Sequence, residues 1–390
     1  MQYNGLLQRL KLTKQGFDEI KQVLITKGLY IPGSNTLSDL PAILETASLI
    51  ETNPVWDMSY EKNVAMLAQY TSQNVPIGGT ITSLGITGHV YNDSILLFDG
   101  KVAAASYTNG TIMIYDPSVN SIAARSIGGT YSSPNFVLTL TLAGEIVAMS
   151  YNGDALRKYN HITNTAVALS GISKMVSAYT LPNGNIYISG NTTTLNKVYN
   201  PVTNTYSNTS KKGEWQFGGT LLLDNKLLIA PYNNSATPFR TYNYETGAYV
   251  KLATIPFTYD IHTSILAANN KVYSCPRVND RPIVVLNLTN NQVTSIPNSN
   301  KLYNKGVLLP NGHILMISSE YSPLRIINTT NDTVVDIPNP TGHVYASCTM
   351  LPNGKVLLFP ANTSHSLALY DGGFAPLRMN TCLHPIINHF

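Results

Sequence analysis

The chain has little charge. Of its 390 residues only 12% are Asp, Glu, Lys or Arg, about half the usual share. The formal net charge of +4 is too mild to mark a nucleic-acid or anionic-membrane partner. Cysteine is scarce. Cys275, Cys348 and Cys382 are odd in number and irregularly spaced, which argues against a disulfide framework and against a zinc site. Tryptophan is rarer still, at Trp56 and Trp215. No run approaches ~18 apolar residues, so no helix is expected to insert in a membrane. The opening Met1-Gln2-Tyr3-Asn4-Gly5 shows no basic-then-apolar leader, and synthesis in a cytoplasm is expected. Gly-x-Ser-x-Gly, Walker A and Gly-x-Gly-x-x-Gly in its proper context are all missing. No cofactor is implied.

Polarity comes instead from Asn, Thr, Ser and 24 tyrosines, and it is arranged periodically. Leu181-Pro182-Asn183-Gly184-Asn185-Ile186 returns as Leu309-Pro310-Asn311-Gly312-His313-Ile314 and as Leu351-Pro352-Asn353-Gly354-Lys355-Val356. Weaker copies surround Gly100, Gly144, Asn225 and Asn270. Asn-Gly and Asp-Gly between apolar runs signal a hairpin with a type I′ turn, and the prolines read as strand ends. After each turn a second phrase follows, as in Tyr199-Asn200-Pro201-Val202-Thr203-Asn204-Thr205, where an Asx residue ends a strand.

Seven such units, spaced by roughly 42 residues, predict an all-β, seven-bladed β-propeller of four-stranded antiparallel blades over 76–390. The two phrases resemble kelch and galactose-oxidase-like propellers. Tyr206, Tyr249, Val293 and Val334 stand where a kelch repeat has Trp. A strand at 79–84 is expected to close the ring in the last blade, in competition with Ala375 to Met379.

Residues 1–75 form a predicted small α-helical domain with a connector. Phe17, Ile20 and Leu24 share one helical face, and Leu40, Ile43 and Leu44 share another. Ile20-Lys21-Gln22-Val23-Leu24-Ile25-Thr26-Lys27-Gly28, a polar loop, then Leu37-Ser38-Asp39-Leu40-Pro41-Ala42-Ile43-Leu44 resembles a helical module of tailed-phage appendage and fibre proteins. The resemblance implies a virion protein, oligomeric in the particle, whose residues 1–75 dock to other virion proteins through those six apolar side chains.

The chemistry is sparse. Asp99, Asp116, Asp224 and Asp371 fall in repeat turns. His89 and His343 share one repeat position near a channel mouth, in Gly88-His89-Val90 and Gly342-His343-Val344. With Glu145 or Asp260 as partners they are the best candidates for catalysis, but they make no metal-ligand spacing. Repeat tyrosines such as Tyr115, Tyr159 and Tyr199 read as blade packing. Tyr107, Tyr131, Tyr151, Tyr232, Tyr259, Tyr303 and Tyr321 lie off the repeat. Tyr107, Tyr151, Tyr232, Tyr259 and Tyr321 are the candidate binding side chains for a host-surface glycan or protein. The expected function is a non-enzymatic virion appendage. The alternatives are a carbohydrate-active enzyme on the same scaffold and a purely structural virion spacer.

Overall fold

The structure is a computed structural model. It describes residues 58–106, 110–128, 136–150, 156–169, 172, 175–190, 194–212, 218–231, 238–255, 261–276, 281–297, 303–318, 323–384 and 387. The chain divides into two compact units, Met1–Val55 and Trp56–Phe390. The expected helical domain, with Phe17, Ile20, Leu24, Leu40, Ile43 and Leu44, lies outside the described residues.

The second unit is a seven-bladed β-propeller. Seven four-stranded antiparallel sheets follow one another around a ring. Blades I to VI span 91–126, 136–169, 175–212, 219–254, 261–296 and 303–337. Blade VII takes its three inner strands from Tyr345–Met350, Val356–Pro360 and Ala368–Asp371, and its outer strand from Thr80–Ser83. Thr80 pairs with Asp371 and Ser83 with Ala368. The upstream strand therefore closes the ring. The rival segment, Ala375 to Met379, forms no strand; it leads into helix α2 (Met379–Leu383).

The repeated phrase builds a turn one residue longer than the type I′ expected. In blade I, Gly100 N–H donates to the Leu97 carbonyl at 3.0 Å and Leu97 N–H to the Lys101 carbonyl at 2.8 Å. The same pair of bonds starts from Thr141, Leu181, Leu222, Ala267, Leu309 and Leu351. This is a type I turn followed by one left-handed residue in a bulge. Only that last residue has positive φ, 81° at Gly100 and 63° at Asn225. The prolines do not end strands. Pro182, Pro310 and Pro352 occupy the first central position of the type I turn, where a fixed φ is favourable. The next residue is usually Asx, whose oxygen accepts the N–H two residues on, as Asp99 does from Lys101 at 3.2 Å. Blade II has Ala143 there, and Thr141 Oγ1 takes the Glu145 N–H instead, at 3.1 Å.

The second phrase behaves as expected. In all seven blades the Asx ending the third strand accepts the N–H two residues on, at 2.9–3.0 Å. The preceding Tyr115, Tyr159, Tyr199, Tyr242 and Tyr370 are buried. The first three donate their hydroxyls to Asn120, Asn164 and Asn204 at 2.9–3.1 Å. Each buried ring contributes about 2 kcal/mol by area, and the bonded hydroxyls stay satisfied at the rim. Both kinds of turn lie on one side of the ring, hereafter the turn face. Second strands end and third strands begin on the opposite side, the loop face.

Helix α1 (Tyr60–Tyr70) lies on the turn face. Asn63 is fully buried there. Its Nδ2 donates to the Leu223 carbonyl and to Asn225 Oδ1 of blade IV, both at 2.8 Å. Tyr70 Oη donates to the Leu308 carbonyl at the end of blade VI's inner strand, at 2.6 Å. Gln73 N–H then reaches the Pro310 carbonyl at 3.0 Å. Gln73 also exchanges side-chain bonds with the backbone of Ala375. Helix α2 packs against α1, and Cys382 and Leu383 are buried in one apolar cluster with Leu351 and Leu357. No described helix is long and apolar enough to cross a membrane.

Candidate functional site at the loop-face mouth

The loop-face end of the ring is shaped by bulges. In blades I, III, V, VI and VII the inner strand slips register near its start, between Tyr91 and Asp93, Met175 and Ser177, Ile261 and Thr263, Tyr303 and Lys305, and Tyr345 and Ser347. Such a bulge re-aims the side chains around it. Two of those re-aimed are charged. Lys305 Nζ of blade VI meets Asp93 Oδ1 of blade I at 2.5 Å and donates to the Ser94 carbonyl at 3.0 Å. The pair passes the inner strand of blade VII, a route available on the channel side. Asp93 Oδ1 also accepts Ser94 N–H, and Oδ2 accepts Leu138 N–H of blade II, both at 2.9 Å. On the other flank His262 Nδ1 lies 2.9 Å from the Asn304 carbonyl. A polar belt thus links blades V, VI, I and II around the mouth.

The sequence reading missed Asp93 and Lys305. Their signal was positional. Each lies seven residues before its turn residue, where the other blades carry Val137, Ser177, Gly218, Thr263 and Ser347. Two opposite charges at a position otherwise small or apolar mark each other as partners.

Beside the belt, at the seam of blades VII and I, lies a histidine pair. The His343 and His365 rings stack with centroids 4.6 Å apart and planes 13° apart. Val344 N–H donates to His365 Nδ1 at 3.1 Å, and Ser366 N–H to His343 Nδ1 at 3.3 Å. His343 is held below its ordinary pKa, first by burial and then by the charge of His365, with the Ser366 contact opposing. Tyr345 Oη meets Thr341 Oγ1 at 3.0 Å. Asn339 Nδ2 caps the His343 carbonyl at 2.7 Å. The approach to blade I runs alongside: Leu84 N–H donates to the Leu367 carbonyl, Leu367 N–H to Ile86, and Gly88 N–H to Thr363.

The equivalence of His89 and His343 is real, since each ring leans toward the tyrosine two residues on. The His89–Tyr91 centroids are 6.1 Å apart and the His343–Tyr345 centroids 6.5 Å. Of the expected carboxylate partners, Glu145 is not brought to them. Glu145 sits in a turn-face hairpin, paired with Lys158 at 3.1 Å, and Asp260 lies outside the described residues. Among the described residues, no three His, Cys, Asp or Glu side chains gather to hold a metal ion. The binding tyrosines Tyr107, Tyr151, Tyr232, Tyr259 and Tyr321, and Tyr131, also lie outside the described residues. Tyr303 is not a loop residue: it opens blade VI's inner strand and is fully buried.

The ring is shared with solved proteins of unrelated activity. Virginiamycin B lyase from Staphylococcus aureus superposes with a TM-score of 0.64 at 12% identity, over 75% of this chain and 98% of that one. A fungal alcohol oxidase of the AA5 family, in complex with copper, gives 0.55 at 14% identity, over 78% and 79%. The WD40 β-propeller domain of Doa1 gives 0.56 at 15% identity, over 75% and 97%. No family model and no curated protein sequence matches the chain. At these identities the likeness shows the fold alone. It nevertheless corrects the expectation of a non-enzymatic protein. That expectation rested on scarce charge and on the want of a cleft, and a lyase and an oxidase are built on this same ring. The bulge-aimed Asp93 and Lys305 also show that charge does converge at one mouth.

Proposed function

We propose that the ring is the recognition module of a virion appendage, held from its turn face and binding a host-surface glycan or protein at its loop face. The observation that carries this is the seating of α1. The chain joins the ring on the turn face, fastened by the buried Asn63 to blade IV and by Tyr70 to blade VI. The described chain therefore enters the ring at its turn face, and the opposite, loop face is the proposed contact for a partner. The low charge and the abundance of Tyr and Asn suit contact by area and neutral hydrogen bonds. The helical module resembling tailed-phage appendage proteins supports the virion setting. The turn phrases support a distant kelch-like ancestry for the ring.

The test uses full-length protein with host cells and isolated surface polysaccharides. Saturable binding is expected, weakened about tenfold or more by Tyr151→Ala with Tyr232→Ala, a loss of hot-spot size. Removal of residues 1–50 is expected to abolish incorporation into particles. Unchanged binding in the tyrosine variant rejects the loop-face role. Normal incorporation of the truncated chain rejects attachment through the N-terminal residues. Polysaccharide product formed in the same samples assigns the loop face to turnover rather than to binding alone.

A further inference from the structure

We propose that the His343–His365 pair is an acid-sensitive latch on the loop face, tying the 361–366 connection of blade VII to the start of that blade's inner strand at neutral pH and releasing it on protonation. The arrangement is reciprocal. Each Nδ1 accepts a backbone N–H from beside the other histidine, Val344 to His365 and Ser366 to His343. An imidazole accepts at Nδ1 only when that nitrogen has its lone pair, so each ring is neutral with its proton on Nε2. A proton added at Nδ1 sets N–H against N–H and breaks the contact. With both rings charged, two cations also stack at 4.6 Å, where like charges repel.

The groups around the pair fix what the latch controls. Ser366, which donates to His343, also meets Ser83 of the closing strand through their hydroxyls at 2.5 Å. Leu367, the next residue, is bonded in both directions to 84–86. The latched connection therefore touches both the closing strand and the lead into blade I. Titratable groups on the packed elements are Tyr345, bonded to Thr341, and His89 with Tyr91 at the start of blade I. His89 is one residue beyond Gly88, which donates to the Thr363 carbonyl. The two tyrosines carry no positive charge at any pH. The charge that acts on His343 is that of His365.

The direction follows from linkage. A histidine held below its ordinary value of 6.5 contributes fully above that value, and the contribution falls away as pH drops through and below it.

The experiment is amide hydrogen exchange of the full-length protein at about pH 7.5 and about pH 5, across the histidine range, corrected for intrinsic chemical rates. Protection at Val344 and Ser366 is expected to fall by about tenfold or more at the lower pH, the order of losing a buried hydrogen-bond partner. In the His343→Asn, His365→Asn variant, Oδ1 offers an acceptor in place of Nδ1 and takes no proton. Its protection is expected to be the same at both pH values. Equal protection of the wild type at both, or an equal loss in the variant, overturns the latch. Should the double variant not fold, His365→Asn alone is expected to fix Val344 while Ser366 still responds; a parallel response of both amides overturns it. Exchange reads the latch without any ligand, so its outcome is independent of the recognition role.

Discussion

Replacing Lys305 by methionine removes the amine that joins blades VI and I and keeps most of the side chain's length. The partners lie 2.5 Å apart with side-chain exposures of 19% for Lys305 and 17% for Asp93, so solvent screens the pair poorly. Stripping one partner from a fully buried pair costs about 3–5 kcal/mol. Here Asp93 keeps two backbone donors, Ser94 and Leu138, and is not left bare. The expected loss is therefore about 2–3 kcal/mol, lowering the folding equilibrium constant by roughly 30- to 160-fold. Urea unfolding at unchanged m-value measures it. A double-mutant cycle with Asp93→Asn isolates the pairwise part, expected at about 1.5 kcal/mol or more. Because the bond passes blade VII, Lys305→Met is also expected to speed amide exchange in Tyr345–Met350 more than in the inner strand of blade III. A total loss below about 0.5 kcal/mol, the range of a solvated surface pair, would refute the assignment of this contact as a ring staple.

Two further outcomes follow from the turn face. Gly354→Ala is expected to cost about 2 kcal/mol or more: its φ is +82°, and a Cβ would lie 2.7 Å from the Phe374 carbonyl oxygen. Gly85→Ala, at φ +72° with nothing within 4 Å, is expected to cost only about 1 kcal/mol for the backbone; equal thermal shifts in the two would show that contact with 374–375 contributes nothing. The Asp99 carboxyl feels burial most, which raises it. The His161 ring nitrogen 3.2 Å away, with the charge of Lys101, outweighs that and holds it below its ordinary value. Its stabilisation is present above the usual carboxylate range and lost as pH falls through the folded value, so His161→Gln is expected to flatten the acid limb of a stability–pH curve below about pH 4.

The architecture was legible because each blade repeats its punctuation. Glycine or asparagine at the left-handed turn position and Asx after the third strand are demanded by backbone geometry, and they survive wherever the blade does. The turn type was misread because Asn-Gly serves two hairpin turns equally. What separates them is a hydrogen-bond count of one residue, and Pro182, Pro310 and Pro352 at a position that must be αR were the available clue. The mouth was harder. Asp93 and Lys305 are some 200 residues apart in sequence, and a bulge, invisible in composition, aims them at each other. His365 was passed over for the opposite reason: it has no counterpart in the repeat, so periodicity could not flag it. Glu145 looked available as a partner for His89 only while the two faces of the ring were not distinguished.

The seating of α1 also decides how the molecule bears tension. A pull applied upstream of Met58 reaches the ring first through Asn63 and Tyr70, at two points on blades IV and VI. It arrives at the closing strand, Thr80–Ser83, only after the bonds of Gln73 to Pro310 and of Asn311 to Val75 have been strained. That strand is held by one antiparallel neighbour and would peel under a load applied to its own end. The helix works as a strain relief, moving the force from the seam of the ring to two continuous blades. A ring fastened this way can be tugged from one face while its seam carries almost none of the load.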